Sequence, residues 1–426
     1  QWNENWKNDI DSEAASDSSY FYQLTNLDQV DEALLESKND QIGGGGTAGS
    51  VDITIRADQY LTNNKNSSVI LAQSIGDGGG WLLLDQGNNY SFLGSLKSNG
   101  GAGGSVNIDS EASLISLGSN SPALVAQSIG GGGGATGDSK KFARLGTVSG
   151  RSNTSAGDVT IKQVGDISTQ GTFSAGLLSQ SIGGGGGLVG SVTGAVSMGS
   201  IKSVSEQKST AGNVDVQVVG TVKTVGNNSP ALVAQSIGGG GGWVAQASGE
   251  VDMGVFNTGE SDNSSGSTSI STDGDIETSG INSAGILAQS IGGGGGFIGL
   301  RDFGEYRIGL GSSYSSGLNK SGSVNITNQS NVATTGDNSA ALVAQSLGGG
   351  GGSISVDLTD ASSPISLLTL GSADAYSTNS GLLEVVNRSN LQTAGVGSPS
   401  LLLQSIGGGG GAVQTLSDSS AANIQF

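Results

Sequence analysis

The residues of this chain that could carry chemistry are its carboxylates, and they are thinly spread. Asp52, Asp109, Asp158 and Asp215 recur near the start of one alternating segment. Polysaccharide lyases and hydrolases built on β-helices need two or more carboxylates, or a carboxylate with a base, fixed on a groove. Regular recurrence instead marks these four as frame residues with an outward, solvated role. Asp302, Glu305 and Arg307 form the densest charged group and read as an exposed, salt-bridged loop. Histidine is absent, which removes the commonest general base, the usual triads and most zinc sites. Oxygen ligands for calcium abound, yet no Gly-Gly-x-Gly-x-Asp series occurs, the glycine runs hold no aspartate apart from Asp77, and Asp273-Gly274-Asp275 reads as a turn. No Lys-Ser or Lys-Thr follows a glycine run, so these are not phosphate loops. No catalytic, cofactor-binding or metal-binding residue is assigned, no cofactor is expected, and incidental calcium binding stays open.

The elements that must hold these residues are repeats. Ser121-Pro122-Ala123-Leu124-Val125-Ala126-Gln127-Ser128-Ile129 and the five glycines Gly130 to Gly134 recur with small changes along the chain. The anchoring glutamines are Gln73, Gln127, Gln180, Gln235, Gln289, Gln345 and Gln404, with a degenerate first copy at Gln41. Their spacing is close to 54 residues, except for the 32 between Gln41 and Gln73. The short first interval exposes a basic module, to which later copies add inserts such as Trp81 to Gly100, Ala135 to Ala156 and Leu188 to Ala211. The frame makes the stacking core, and the inserts decorate or complete it.

Each frame reads as three extended pieces. In Asn213-Val214-Asp215-Val216-Gln217 the branched apolar residues share one face and polar ones the other, as in a strand with one wet side. A short piece follows, such as Thr221-Val222-Lys223-Thr224, and ends in a turn like Gly226-Asn227-Asn228-Ser229-Pro230. The third piece, Ala231 to Ile237, is apolar on both faces except for Gln and Ser and is the most buried. These pieces are too short, too rich in Val and Ile and too closely bounded by glycine for helices. The expected fold is all-β, a parallel β-solenoid (β-helix) with glycine-rich repeats of about 54 residues, in which equivalent glutamines stack as an amide ladder. A propeller or sandwich of repeating sheets is the alternative, and the number of layers per repeat is left open.

Five glycines in a regular element cost about 0.5 to 1 kcal/mol each relative to Ala. Six of the eight runs keep five uninterrupted glycines, and that constancy argues for ordered glycine at a close backbone approach rather than a flexible turn. Trp81, Leu188, Trp243 and Phe297 each follow directly on a run, which implies a packing role over the flat glycine surface. The alternative use of such residues is a ligand surface in an insert, the best being Trp81-Leu82-Leu83-Leu84 with Tyr90 and Phe92, or Phe297-Ile298-Gly299-Leu300 with Phe303 and Tyr306.

The expected organisation is an N-terminal cap or docking segment over 1–40, a solenoid over 41–411 and a C-terminal tail or cap over 412–426. The N-terminal segment has room for a short helix over Asn26 to Glu36, and Trp2, Trp6, Tyr20, Phe21 and Tyr22 either plug the first rung or dock on a neighbour. The 426 residues include 77 Gly, no Cys and only 12% charged residues, with a formal charge of -19. Acidity without a Lys/Arg cluster argues against a nucleic-acid partner. No cysteine means no disulfide staple. No run of 18 apolar residues spans a bilayer, and the start at Gln1-Trp2 reads as that of a processed or excised fragment.

The Ala-Leu-Val-Ala-Gln-Ser-Ile frame with its five glycines, the Ser-Val-x-Ile strands and the Ser/Thr/Asn-rich inserts resemble the passenger regions of large glycine-rich autotransporters of Gram-negative bacteria, from about Gln41 to Gly411. The resemblance implies a secreted β-solenoid on or released from the cell surface, serving as adhesin, biofilm component or appendage. The C-terminal membrane barrel of that family has no counterpart in this sequence. The expected function is therefore a non-enzymatic extracellular structural protein that self-associates through its ends or glycine-rich face, into a filament or surface layer. An adhesin binding a glycan or matrix through its inserts is the alternative, and a polysaccharide-acting enzyme a more remote one.

Overall fold

The structure, a computed structural model, describes residues 21–22, 46–82, 88–95, 97–98, 100–147, 149–150, 153–199, 207–254, 261–301, 307–311, 318–357, 367–371, 378–416 and 423–425. These residues form a parallel β-solenoid in which each repeat makes one coil. Equivalent glutamines 53 to 59 residues apart sit on directly hydrogen-bonded neighbouring strands. The layer count left open by the sequence is thus one per repeat.

The fourth coil shows the path. In strand Val214–Val219, Val214, Val216 and Val218 are buried and Asp215 and Gln217 exposed, as alternation requires. Val222–Thr224 follows, then a turn, then Leu232–Ile237, buried at every position. Each of these three joins a seven-stranded parallel sheet. The register does not slip: Val51, Val106, Val159, Val214, Thr268, Val324 and Leu383 stand in one row along the axis. One slip would turn every inward Val to solvent, so burial of one face fixes the pairing.

The turn before each glutamine strand needs a residue at positive φ. Asn66, Asn120, Asn228, Asn282 and Asn338 supply it, with φ between 51° and 56°, because Asn enters the left-handed region more readily than other side chains. Gly397 does so in the last coil. Phe173, at φ 59°, is the exception and carries strain that the others avoid.

The inserts do more than decorate. After the glycines the fourth coil runs through Gly241–Ala247 and Val251–Met253, then returns along Ser261–Ser264. Strands of the first two kinds belong to a fourteen-stranded sheet. They enclose a second apolar core that includes Val244, Ala247, Val251 and Met253, separate from the frame core of Val214, Val216, Val222, Leu232 and Ala234. The glutamine strand is the wall between the two lobes, which is why both its faces are apolar.

At the start, Phe21–Tyr22 pairs antiparallel with the insert strand Asn88–Leu93 of the first coil. At the other end Ala412 to Leu416 continue the last post-glycine strand, and Asn423–Gln425 adds to the insert row. The helix expected over Asn26 to Glu36 lies outside the described residues, as do Trp2, Trp6, Tyr20 and Gln41. No helix among the described residues is long and apolar enough to cross a membrane.

Candidate functional site

Inside the solenoid the polar side chains are used for stacking. Each glutamine donates from Nε2 to Oε1 of the next: Gln127 to Gln180, Gln180 to Gln235, Gln235 to Gln289 and Gln289 to Gln345, each at 2.7 Å. The second Nε2 hydrogen reaches across the glycine reversal, from Gln235 to the Gly242 carbonyl at 3.2 Å and from Gln289 to Gly296 at 3.2 Å. Both donors and the acceptor of a buried amide are satisfied without water, which removes the burial penalty such groups otherwise carry.

The glycines permit this approach. Gly240, Gly241 and Gly242 adopt φ of 104°, 129° and 138°, and a Cβ on Gly241 would lie 2.0 Å from the Gly295 carbonyl oxygen of the next coil. The runs are therefore ordered, as constancy of length indicated. They are also interior: Gly238 to Gly242 are buried, as are the runs of four other middle coils. A glycine-rich outer face is not available for contacts between copies. The space beside the glycines takes the glutamine amide, and the large residue that follows them packs one step further on. Trp243, fully buried, and Phe297 lie against Val233 and Leu287 of the glutamine strands. Their core role was legible in the sequence, but their neighbour is the glutamine strand rather than the glycine surface.

A serine contribution went unread. Ser128 Oγ donates to the Gly104 carbonyl at 2.8 Å and accepts from the Gly157 N–H of the next coil at 2.7 Å. Ser181 repeats this with Gly157 and Gly212, tying the glutamine strand to the start of the frame in successive coils. The signal was present as a glycine 24 residues before each of these serines.

The carboxylates singled out in the sequence are not brought together as a catalytic pair. Asp52 and Asp215 share one row with Asn107 and Thr160 between them, Asp109 lies in the row of Thr54 and Lys162, and Asp158 precedes its strand and accepts from the Asn213 N–H. Asp52, Asp158 and Asp215 are exposed and Asp109 partly so, an outward placement. Asp109 pairs with Arg56, and that hydrogen bond holds its carboxyl below the usual carboxylate value and raises the guanidinium. Asp273 and Asp275 flank the turn between two frame strands, with Asp275 accepting from Asn331 Nδ2 at 3.1 Å. Asp77 stands at φ 63°, buried, and accepts the Gly101 N–H at 2.9 Å, replacing the second glycine of its run. Among the described residues no group of three or more His, Cys, Asp or Glu side chains could hold a metal ion. Asp302, Glu305, Phe303, Tyr306, Leu83 and Leu84 lie outside the described residues. Trp81 is half-buried in a small cleft with Ala135, Phe173 and Leu188, and Phe92 is buried, so neither offers an open ring face.

Leu383–Asn387, Leu391–Thr393 and Leu401–Ile406 each end their sheet, and no described residue pairs with their outer edges. Leu401 is 45% and Leu403 42% exposed, while their counterparts one coil inward, Leu342 and Ala344, are buried. Gln404 accepts from Gln345 and donates to Gly411, ending the ladder.

Comparison of the chain with protein-family models, with curated proteins and with solved structures finds no match. The fold is that of the β-helix class, which houses both structural proteins and enzymes.

Proposed function

We propose that this protein is a rigid, non-enzymatic building block of the outer surface of a Gram-negative bacterium, an autotransporter-type passenger that associates with itself. The observation that carries the reading is the set of seven-stranded parallel sheets held in one unslipped register, with buried glutamines that bond from coil to coil. Rigidity follows from the unslipped register and from buried amides and hydroxyls that bond between coils. The carboxylates are spread along the stack, and Asp52, Asp109 and Asp158 are engaged by Asn, Arg or backbone partners, which favours a structural role over hydrolysis. The motif resemblance favours the surface location.

Sedimentation of the purified chain over a wide concentration range tests the reading. Mass above that of the 41.9 kDa chain, appearing with concentration, supports it. A monomer at all concentrations, combined with cleavage or saturable binding of a polysaccharide, would transfer the function to the enzyme or adhesin alternative.

A further inference from the structure

We propose that the cleft over Ala135 is a site for a small neutral ring alcohol, of which a monosaccharide is the biological form, and that Phe173 is its lid. The site does not depend on self-association.

The first observation is the lid. The turn before each glutamine strand holds Asn66, Asn120, Asn228, Asn282 and Asn338, and Asn282 Nδ2 donates to Asn228 Oδ1 of the preceding coil at 3.0 Å. Phe173 takes this place in the third coil, at φ 59°, a conformation that strains a bulky L-residue. A phenyl ring also has no amide to donate. Asn120, one coil earlier and 7% exposed, sends its Nδ2 to Asp138 Oδ1 at 2.5 Å, and its Oδ1 has no partner among the described residues. Strain held at one position of an otherwise regular row lowers the cost of moving that residue. A step out of the left-handed region swings half-buried Phe173 off the cleft.

The second observation is what lies beneath. Trp81, Asn120, Pro122, Ala135, Phe173 and Leu188 line the cleft. Ala135 stands between Trp81 and Leu188 in one row along the axis, and its small side chain leaves the gap. Asn120 Oδ1 faces the wall at Gly190, where an added Cβ would lie 2.8 Å from it. The Trp81 indole N–H is likewise closed off from solvent and without a partner among the described residues. One open donor and one open acceptor in the same cleft are costly to bury. A hydroxyl group answers both, because it accepts one hydrogen bond and donates another. No charged side chain lines the cleft among the described residues, which selects a neutral ligand with a carbon frame. The free space is ≈ 280 Å³ including the mouth, below that of drug-sized sites, so a single ring is the size that fits. With Phe173 in place only ≈ 10 Å³ is reachable, about one water, so binding requires the lid to open.

The test uses the full chain with nitrogen-15-labelled tryptophan, in which Trp81→Phe identifies the Trp81 indole signal by its loss. The probes are methyl glucoside, methyl galactoside and methyl N-acetylglucosaminide. The expected result is a saturable shift of the Trp81 signal with a Kd of about 1 mM for at least one probe, while the signal of buried Trp243 stays in place. Phe173→Gly removes lid and strain together and should tighten binding about tenfold. Asn120→Gly removes the acceptor at a turn position where Gly397 shows that glycine fits, and should weaken binding about tenfold. Phe173→Asn supplies the missing amide to Asn120 Oδ1, so it should raise Tm and abolish the shift. Thermal melts no lower than that of the parent confirm that the Phe173 variants fold. If no probe moves the Trp81 signal at about 100 mM, in the parent or in Phe173→Gly, the cleft holds an ordered water only and the proposal is overturned. Binding that Asn120→Gly and Phe173→Asn leave unchanged would place the sugar elsewhere and overturn it as well.

Discussion

Two glycines in equivalent runs should respond oppositely to the same change. Gly241 sits at φ 129°, and an added Cβ would stand 2.0 Å from Gly295 O, 2.9 Å from its carbonyl carbon and 3.0 Å from its nitrogen. The backbone conformation alone costs an L-residue about 1 to 3 kcal/mol. The obstructing atoms are main chain, held in the next coil by the Gly241–Gly295 register and by Gly295 N donating to the Gly240 carbonyl, so relief requires displacing a whole rung. Together these put Gly241→Ala beyond about 4 kcal/mol, in the range reserved for strain and core disruption. Gly408 stands in the last run with nothing within 4 Å of its added Cβ. There the change removes unfolded-state freedom and stabilises by about 0.4 to 1 kcal/mol where the backbone suits an L-residue. Urea melts followed by circular dichroism, with limited proteolysis to detect local opening, separate the two. If Gly241→Ala melts within about 1 kcal/mol of the parent, the glycine runs are not stacked as described and the argument for their constancy fails.

The glutamine ladder predicts a positional gradient. Gln235→Ala strips partners from Gln180, Gln289 and Gly242 in a buried wall and should cost about 3 to 5 kcal/mol, while Gln404→Ala, half-buried at the end, should cost about 1 kcal/mol or less in the same melts. Trp243→Ala opens a cavity worth about 3 to 5 kcal/mol. The Trp243 indole N–H has no hydrogen-bond partner, and the next coil already fits Phe297 in that row, so Trp243→Phe should lose less than about 1.5 kcal/mol. Asp109 has a depressed folded value, so its contribution is present above the unfolded carboxylate range and lost as pH falls through the folded value. The small Tm difference between wild type and Asp109→Asn should therefore hold above about pH 5 and vanish in stronger acid; a difference that grew on acidification would contradict the pairing with Arg56.

The frame was legible because its signals are local and repeated. Alternation in Asn213 to Gln217, the Asn-rich turn at Asn228 and the constant Gln-Ser-Ile segment each name an element and its face, and repetition supplies the parallel register. The insert lobe was harder to read. Its strands, such as Gly133–Leu145 and Gly186–Val192, align in space but share little sequence beyond the glycines. Their burial is settled by packing against the glutamine strand rather than by a motif. The neighbour of Trp243 was misplaced for a related reason: nothing in the sequence says that the Gln235 amide already fills the space beside the glycines. The charge pairs Lys162–Asp109 and Lys223–Glu277 carry no signal until the register shows which residues stand side by side, a property of rows visible only once the coils are stacked.

Everything rests on each repeat adding one coil, and the absence of cysteine makes that measurable by spin labels at chosen sites. Asp52 and Asn325 occupy the same row five coils apart. At about 4.8 Å per strand their backbones should be about 24 Å apart. A pulsed dipolar distance near that value, broadened by the label arms, is the predicted result for the pair Asp52→Cys with Asn325→Cys. A distance near 48 Å, as two layers per repeat would give, would contradict the stacked rows from which the fold is derived.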